Sequence, residues 1–162
     1  MDSADIESVL SVLEAMADAE LAVAEFYGAC SRTWESEQGF FAALSRDEMR
    51  HAADVRALAR ILADKPEQFQ SLRHFHKAAV QTFVAGVKES AARVHRGETP
   101  LERVLHVALD MEKSILESRF TEIVKTEEIE YQTLARRIMD ETRAHKANIE
   151  RRITGRMKDR SN

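Results

Sequence analysis

The chain is poor in the residues that cross-link or punctuate a fold. It has one cysteine, Cys30, in 162 residues. A single cysteine excludes an internal disulfide framework, a Cys-x-x-Cys redox motif and a cysteine-ligated zinc site, and it suits a reducing compartment. Two prolines and five glycines leave little material for the many turns of an all-β fold. No apolar run approaches the roughly 20 residues of a membrane-crossing helix. The opening residues, Met1-Asp2-Ser3-Ala4-Asp5, lack the basic and apolar segments of an export signal. The expectation is a soluble, cytoplasmic protein with no membrane partner. A basic excess is lacking too, since the net charge is −4, which argues against general affinity for nucleic acid. Arg151, Arg152, Arg156, Lys158 and Arg160 make only the tail locally basic, where cations complement a helix dipole.

What is present is helix material. Residues are 44% hydrophobic and 32% charged, with alanine, glutamate, leucine and arginine abundant, so an all-α fold is expected. The length suits one domain, residues 1–162. Apolar residues at intervals of three and four mark a first helix over about 5–33: Ile6, Val9, Leu13, Met16, Ala17, Leu21, Ala24 and Tyr27, with Glu20 inside the stripe. A second, about 38–64, shows Phe41, Leu44, Val55, Leu58 and Leu62, and its missing rungs are Glu48 and His51. Asp64-Lys65-Pro66 ends it, because proline cannot donate its amide and restricts the residue before it.

The segment 67–98 holds an amphipathic stretch from about Ser71 to Val94 but no ligand set. His74 and His76 are two apart, about 200° around a helix, so they read as surface histidines. Thr99-Pro100-Leu101-Glu102 is a helix-start signal. The third main helix, about 100–125, carries Glu112 in the stripe Leu101, Leu105, Ala108 and Ile115. The last, about 127–154, buries Leu134, Ile138, His145 and Ile149, with Glu141 and Thr142 flanking that line and Gly155 as a stop.

Polar residues interrupting four apolar stripes need partners, because a carboxylate is rarely buried alone. Their spacing repeats. Glu20 precedes Glu48 by 28 residues and Glu112 precedes Glu141 by 29, while His51 and His145 lie 31 and 33 residues after Glu20 and Glu112. Residues three apart share a helix side, so Glu48 and His51 aim at one point. Mixed carboxylate and imidazole ligands suit iron or manganese. Glu20, Glu48, His51, Glu112, Glu141 and His145 therefore read as the ligands of a dinuclear metal site between facing helices. Tyr27, two turns after Glu20, is a candidate hydrogen-bond donor or redox partner there, or else a core tyrosine.

These segments resemble the rubrerythrin branch of the ferritin-like superfamily. The likeness lies in Glu20 with Phe26-Tyr27, in Asp47-Glu48-Met49-Arg50-His51-Ala52, in Ala108-Leu109-Asp110-Met111-Glu112-Lys113, and in Met139-Asp140-Glu141-Thr142-Arg143-Ala144-His145. The resemblance implies a four-helix bundle with a long helical crossover, 67–98, between helices 2 and 3. It implies two iron ions, Glu20, Glu48 and His51 serving one and Glu112, His145 and a fourth-helix carboxylate the other, with Glu48 and that carboxylate bridging. It also implies a homodimer.

This chain departs from that pattern in three ways. Thr142 stands where the pattern has glutamate, so Glu141 has to reach in. Ile115 stands where rubrerythrins often carry a further glutamate linked to peroxidase chemistry. There is no four-cysteine rubredoxin-like domain, so electrons come from iron itself or an external donor. The expected activity is oxidation of Fe(II) by dioxygen or hydrogen peroxide, in iron handling or oxidative-stress defence. The alternative is a scaffold or sensor module with one metal or none.

Overall fold

The computed structural model describes residues 1–72, 76–118 and 120–159. Their regular structure is helical apart from one short ribbon, so the all-α class holds. Helix α1 (Ser3–Thr33) starts where the Asp2 carboxylate accepts the Asp5 amide at 2.8 Å, satisfying one of the donors a helix start leaves free. Its buried side is rich in alanine (15, 17, 19, 22, 24 and 29). Small side chains let two helices approach it, α2 (Gln38–Asp64) and α3 (Lys77–His95). Helix α5 (Ile129–Asp159) packs on α2 and on α4 (Leu101–Ser118).

Three boundaries differ from the sequence expectation. The third main helix ends at Ser118 rather than near 125, and the crossover helix starts at Lys77 rather than Ser71. Both differences have one cause: β1 (Phe69–Ser71) pairs antiparallel with β2 (Val124–Thr126), Phe69 facing Thr126. Val124 and Thr126 point inward and Lys125 outward, the two-residue alternation of a strand. The Phe69 ring meets Tyr131 edge-on at 5.1 Å. Helix α5 also continues through Gly155. Nothing there requires a turn, and Arg152 and Arg156, on either side of that glycine, both bind the buried carboxylate of Glu37. His74 and Phe75 lie outside the described residues; His76 is exposed just before α3.

The α3–α4 turn is locally specified. Glu98 N donates to Arg93 O and Gly97 N to Val94 O, each at 3.0 Å, with Gly97 at φ 70°. This is a Schellman closure, whose left-handed residue favours glycine. Pro100 follows, and its carbonyl accepts the Val104 amide at 3.1 Å as α4 begins.

Candidate metal centre

Four helices each deliver part of one closed cluster: Glu20 from α1, Glu48 and His51 from α2, Glu112 from α4 and His145 from α5. Glu20, His51 and Glu112 are 0% exposed, Glu48 1% and His145 4%. Each occupies a rung of an otherwise apolar face, so the packing that buries the neighbours also buries the charges.

Glu48 sits between the two imidazoles. Its Oε2 lies 3.0 Å from His51 Nδ1, and its Oε1 lies 2.8 Å from His145 Nδ1. The second approach is short but off the line of a hydrogen bond, so neither of those atoms is satisfied by it. The rings are inclined to each other by 27°, with centroids 5.5 Å apart. One Glu48 oxygen and one nitrogen from each histidine fall within 4.8 Å of one another, close enough to share a metal ion. Glu112 Oε1 is 3.8 Å from His145 Nδ1 and accepts the Tyr27 hydroxyl at 2.6 Å.

The outer nitrogens are held by a reciprocal clasp. His51 of α2 meets Glu141 of α5 (Nε2 to Oε2, 2.8 Å), and His145 of α5 meets Asp47 of α2 (Nε2 to Oδ2, 3.3 Å). Arg50 binds both clasp acids, Asp47 at 2.9 Å and Glu141 at 2.6 Å. A carboxylate on the outer nitrogen fixes the ring and turns the inner lone pair toward the interior, as carboxylates behind metal-bound histidines do. A neutral ring carries one N–H. When that proton faces the outer carboxylate, the inner nitrogen opposes Glu48 lone pair to lone pair until a proton or a cation intervenes.

Both oxygens of Glu20, Oε1 of Glu48, Oε2 of Glu112 and Nδ1 of His145 are buried without a hydrogen-bond partner. The other buried acids are answered by arginine: Asp54 takes two bonds from Arg137, at 3.0 and 2.6 Å, and Glu37 is held by Arg152 and Arg156. No lysine or arginine reaches Glu20, Glu48 or Glu112 among the described residues. Burial, then the charge of Glu48, pushes the Glu20 carboxyl well above its usual range. Burial and Glu48 likewise raise Glu112, against the pull of His145 and Tyr27. Burial works to raise Glu48 as well, but the two imidazoles beside it prevail and hold it at about 2. Burial opposes protonation of His51 and His145, yet Glu48 outweighs it and raises both. Metal-free, the cluster gathers protons; loaded, the same donor set fits divalent cations.

Glu141 stands outside the buried cluster. Its side chain is one-third exposed, and it lies across the His51 ring from Glu48, bound to Arg50. Thr142 takes the inward place, 1% exposed, but its hydroxyl donates to Ile138 O at 2.8 Å within its own helix. The structure thus places Glu141 on the outer side of the His51 ring, apart from the five buried residues it was expected to join. Asp47 and Arg50, which carry no role on sequence grounds, complete the clasp. A signal for Asp47 exists all the same: Asp47 lies four residues before His51, as Glu141 lies four before His145. His106 and Glu25 are exposed. Compared with protein-family models, with curated proteins and with solved structures, the chain matches none.

Proposed function

We propose that Glu20, Glu48, His51, Glu112 and His145 hold two iron ions, and that the protein uses them to reduce hydrogen peroxide or dioxygen. The observation that carries this reading is the set of five polar atoms without a hydrogen bond on four buried side chains, three of them carboxylates that no lysine or arginine reaches among the described residues. Burying such charges uncompensated costs several kcal/mol each, and metal ions would remove the cost. Glu48 presents one oxygen to each histidine, which suits a carboxylate shared by two ions. Glu20 and His51 would complete one ion, Glu112 and His145 the other. Manganese would suit the same donors. With each ligand helix contributing separately and α3 set in the crossover, we read the arrangement as a ferritin-like bundle, in line with the resemblance to rubrerythrins.

Two ferrous ions supply two electrons, enough to convert one hydrogen peroxide and two protons into two waters while becoming ferric. The chain's own contribution is to place and to exclude. The two clasp acids hold the imidazoles inner-side inward. Tyr27 holds a proton at its hydroxyl, 2.6 Å from Glu112. Leu13, Leu58, Leu105 and Ile138, all fully buried, belong to the apolar core that closes the same helices. The test is Glu48→Ala. Wild-type protein loaded anaerobically with Fe(II) should consume peroxide, and the variant should lose both metal loading and turnover; undiminished turnover in the variant overturns the reading.

A second reading, a one-metal scaffold or sensor, is favoured by Thr142. Its hydroxyl is engaged by Ile138 at the place where a sixth ligand would stand.

A further inference from the structure

Helix α3 packs along α1 and barely touches α4. Between α3 and α4 is a cavity of about 730 Å³, floored by Met16 and walled by Phe83 and Val87 on one side and Val107, Met111 and Ile115 on the other. Its size falls in the range of roughly 300–1,000 Å³ that takes one small molecule. The hydroxyls along it offer no free proton. Thr82, Ser90, Ser114 and Ser118 each donate to a carbonyl of their own helix, at 2.6 to 3.0 Å. Gly86, mid-helix in α3, lines the same space, and a Cβ added there meets nothing within 4 Å. Mid-helix glycine costs about 1 kcal/mol against alanine, and no packing contact here calls for it.

A second cavity, of about 210 Å³, shares Ser90 and Val107 with the first and is floored by Phe26. The two together run from Met16 to Phe26 along α1, ten residues or about 15 Å at 1.5 Å per residue. The ends differ in charge. The larger cavity is flanked by Asp110 and Glu117, the smaller by Arg93 and Arg103. Arg93 is 3.8 Å from Glu98, whereas Arg103 is exposed and forms no ion pair among the described residues.

We propose that this groove binds a straight-chain carboxylate, with its hydrocarbon tail along Val107, Met111 and Ile115 and its carboxylate at Arg103. An apolar trough without free donors selects a hydrocarbon. One cationic end and one acidic end select an anionic head and set its direction. A chain of about twelve carbons covers a similar span, given C–C bonds near 1.5 Å. Ile115 lies one turn after Glu112, and Met16 one turn before Glu20. The tail therefore lies against the apolar layer that shields the metal ligands, and binding does not depend on metal.

The experiment is calorimetric titration of the metal-free full chain with laurate below its micellar concentration, with dodecanol and dodecyltrimethylammonium as comparators. Laurate should bind one per chain and at least tenfold more tightly than either comparator. Arg103→Ala should weaken laurate about tenfold and leave dodecanol unchanged. Gly86→Leu, whose side chain enters open space, should weaken both at least tenfold without lowering the melting temperature. Absence of laurate binding overturns the proposal, as does tighter binding of the cationic amphiphile or laurate binding unaltered in Gly86→Leu. If sedimentation shows instead a dimer that Gly86→Leu dissociates, with no laurate bound, the groove belongs to a second copy of this chain and the proposal fails.

Discussion

The Tyr27 hydroxyl donates a 2.6 Å hydrogen bond to Oε1 of Glu112, joining α1 to α4 across 85 positions of sequence, with both side chains closed to solvent. Burial, then the charges of Glu112 and Glu48, holds the phenol well above its usual range, so it remains a donor across the physiological range. It is the one hydroxyl that donates to a carboxylate of the cluster among the described residues. Its ring stacks on Phe41 at 6.1 Å, which fixes the direction of the hydroxyl.

Tyr27→Phe removes that donor and keeps the ring. Leaving a buried carboxylate oxygen unpaired should cost the metal-free protein about 1–3 kcal/mol, readable by urea denaturation. Iron stoichiometry should stay as in wild type, while peroxide reduction in stopped flow should slow by about 10²-fold, the lower range for loss of a positioned proton donor. An unchanged rate with reduced stability would make Tyr27 a packing residue.

The clasp predicts a graded effect. Asp47→Ala and Glu141→Ala should each weaken metal binding by about 10- to 100-fold without lowering the number of ions bound at saturation, because they orient ligands and do not supply them. Competition against a chelator of known affinity would measure this. If Glu141→Ala removes one ion outright, Glu141 is a ligand after all. Arg50, half-exposed in its two ion pairs, should matter less: Arg50→Ala should change affinity by no more than a few-fold.

How far the centre is legible in the sequence depends on burial. A charge in an apolar stripe breaks a local period, which is why Glu20, Glu48, His51, Glu112 and His145 stand out from the residue pattern alone. The outer position of Glu141 is not legible, because distance along the chain does not say which side of a ring a side chain reaches. Aligning Asp47-Glu48 with Glu141-Thr142 against their histidines gives the pairing seen in the clasp, outer acid with outer acid. The β1–β2 ribbon is not legible, since the three-residue strands pair only through a contact far apart in sequence. The Asp64-Lys65-Pro66 stop is, because it rests on local chemistry: α2 ends at Asp64.

Thr142→Glu should supply an inward carboxylate. With metal, the weaker of the two sites should tighten about tenfold or more; without it, a further buried charge should lower the melting temperature. Paired calorimetric titrations and thermal melts of the loaded and metal-free forms would read the two opposite changes.

Stability of the metal-free protein should fall as pH rises. The His51 and His145 values are raised in the folded state, so their contribution is full below the usual 6.5 and is lost as pH climbs through the raised values. Glu20 and Glu112, raised from 4.5, act in the same sense from that pH upward. Glu48, lowered to about 2, acts oppositely: its contribution is full above 4.5 and disappears in acid as pH falls toward 2. The metal-free melting temperature should therefore decline from about pH 6 to pH 9, and metal, standing in for the gathered protons, should flatten that decline.

If the buried acids and imidazoles serve to hold two metal ions, anaerobic titration of the metal-free protein with Fe(II), followed by hydrogen peroxide, should reveal both. Binding should saturate at two irons per chain, and oxidation should bring up the near-ultraviolet absorption of an oxygen-bridged diferric pair. Saturation at one iron or none, with no such band, would overturn the dinuclear centre.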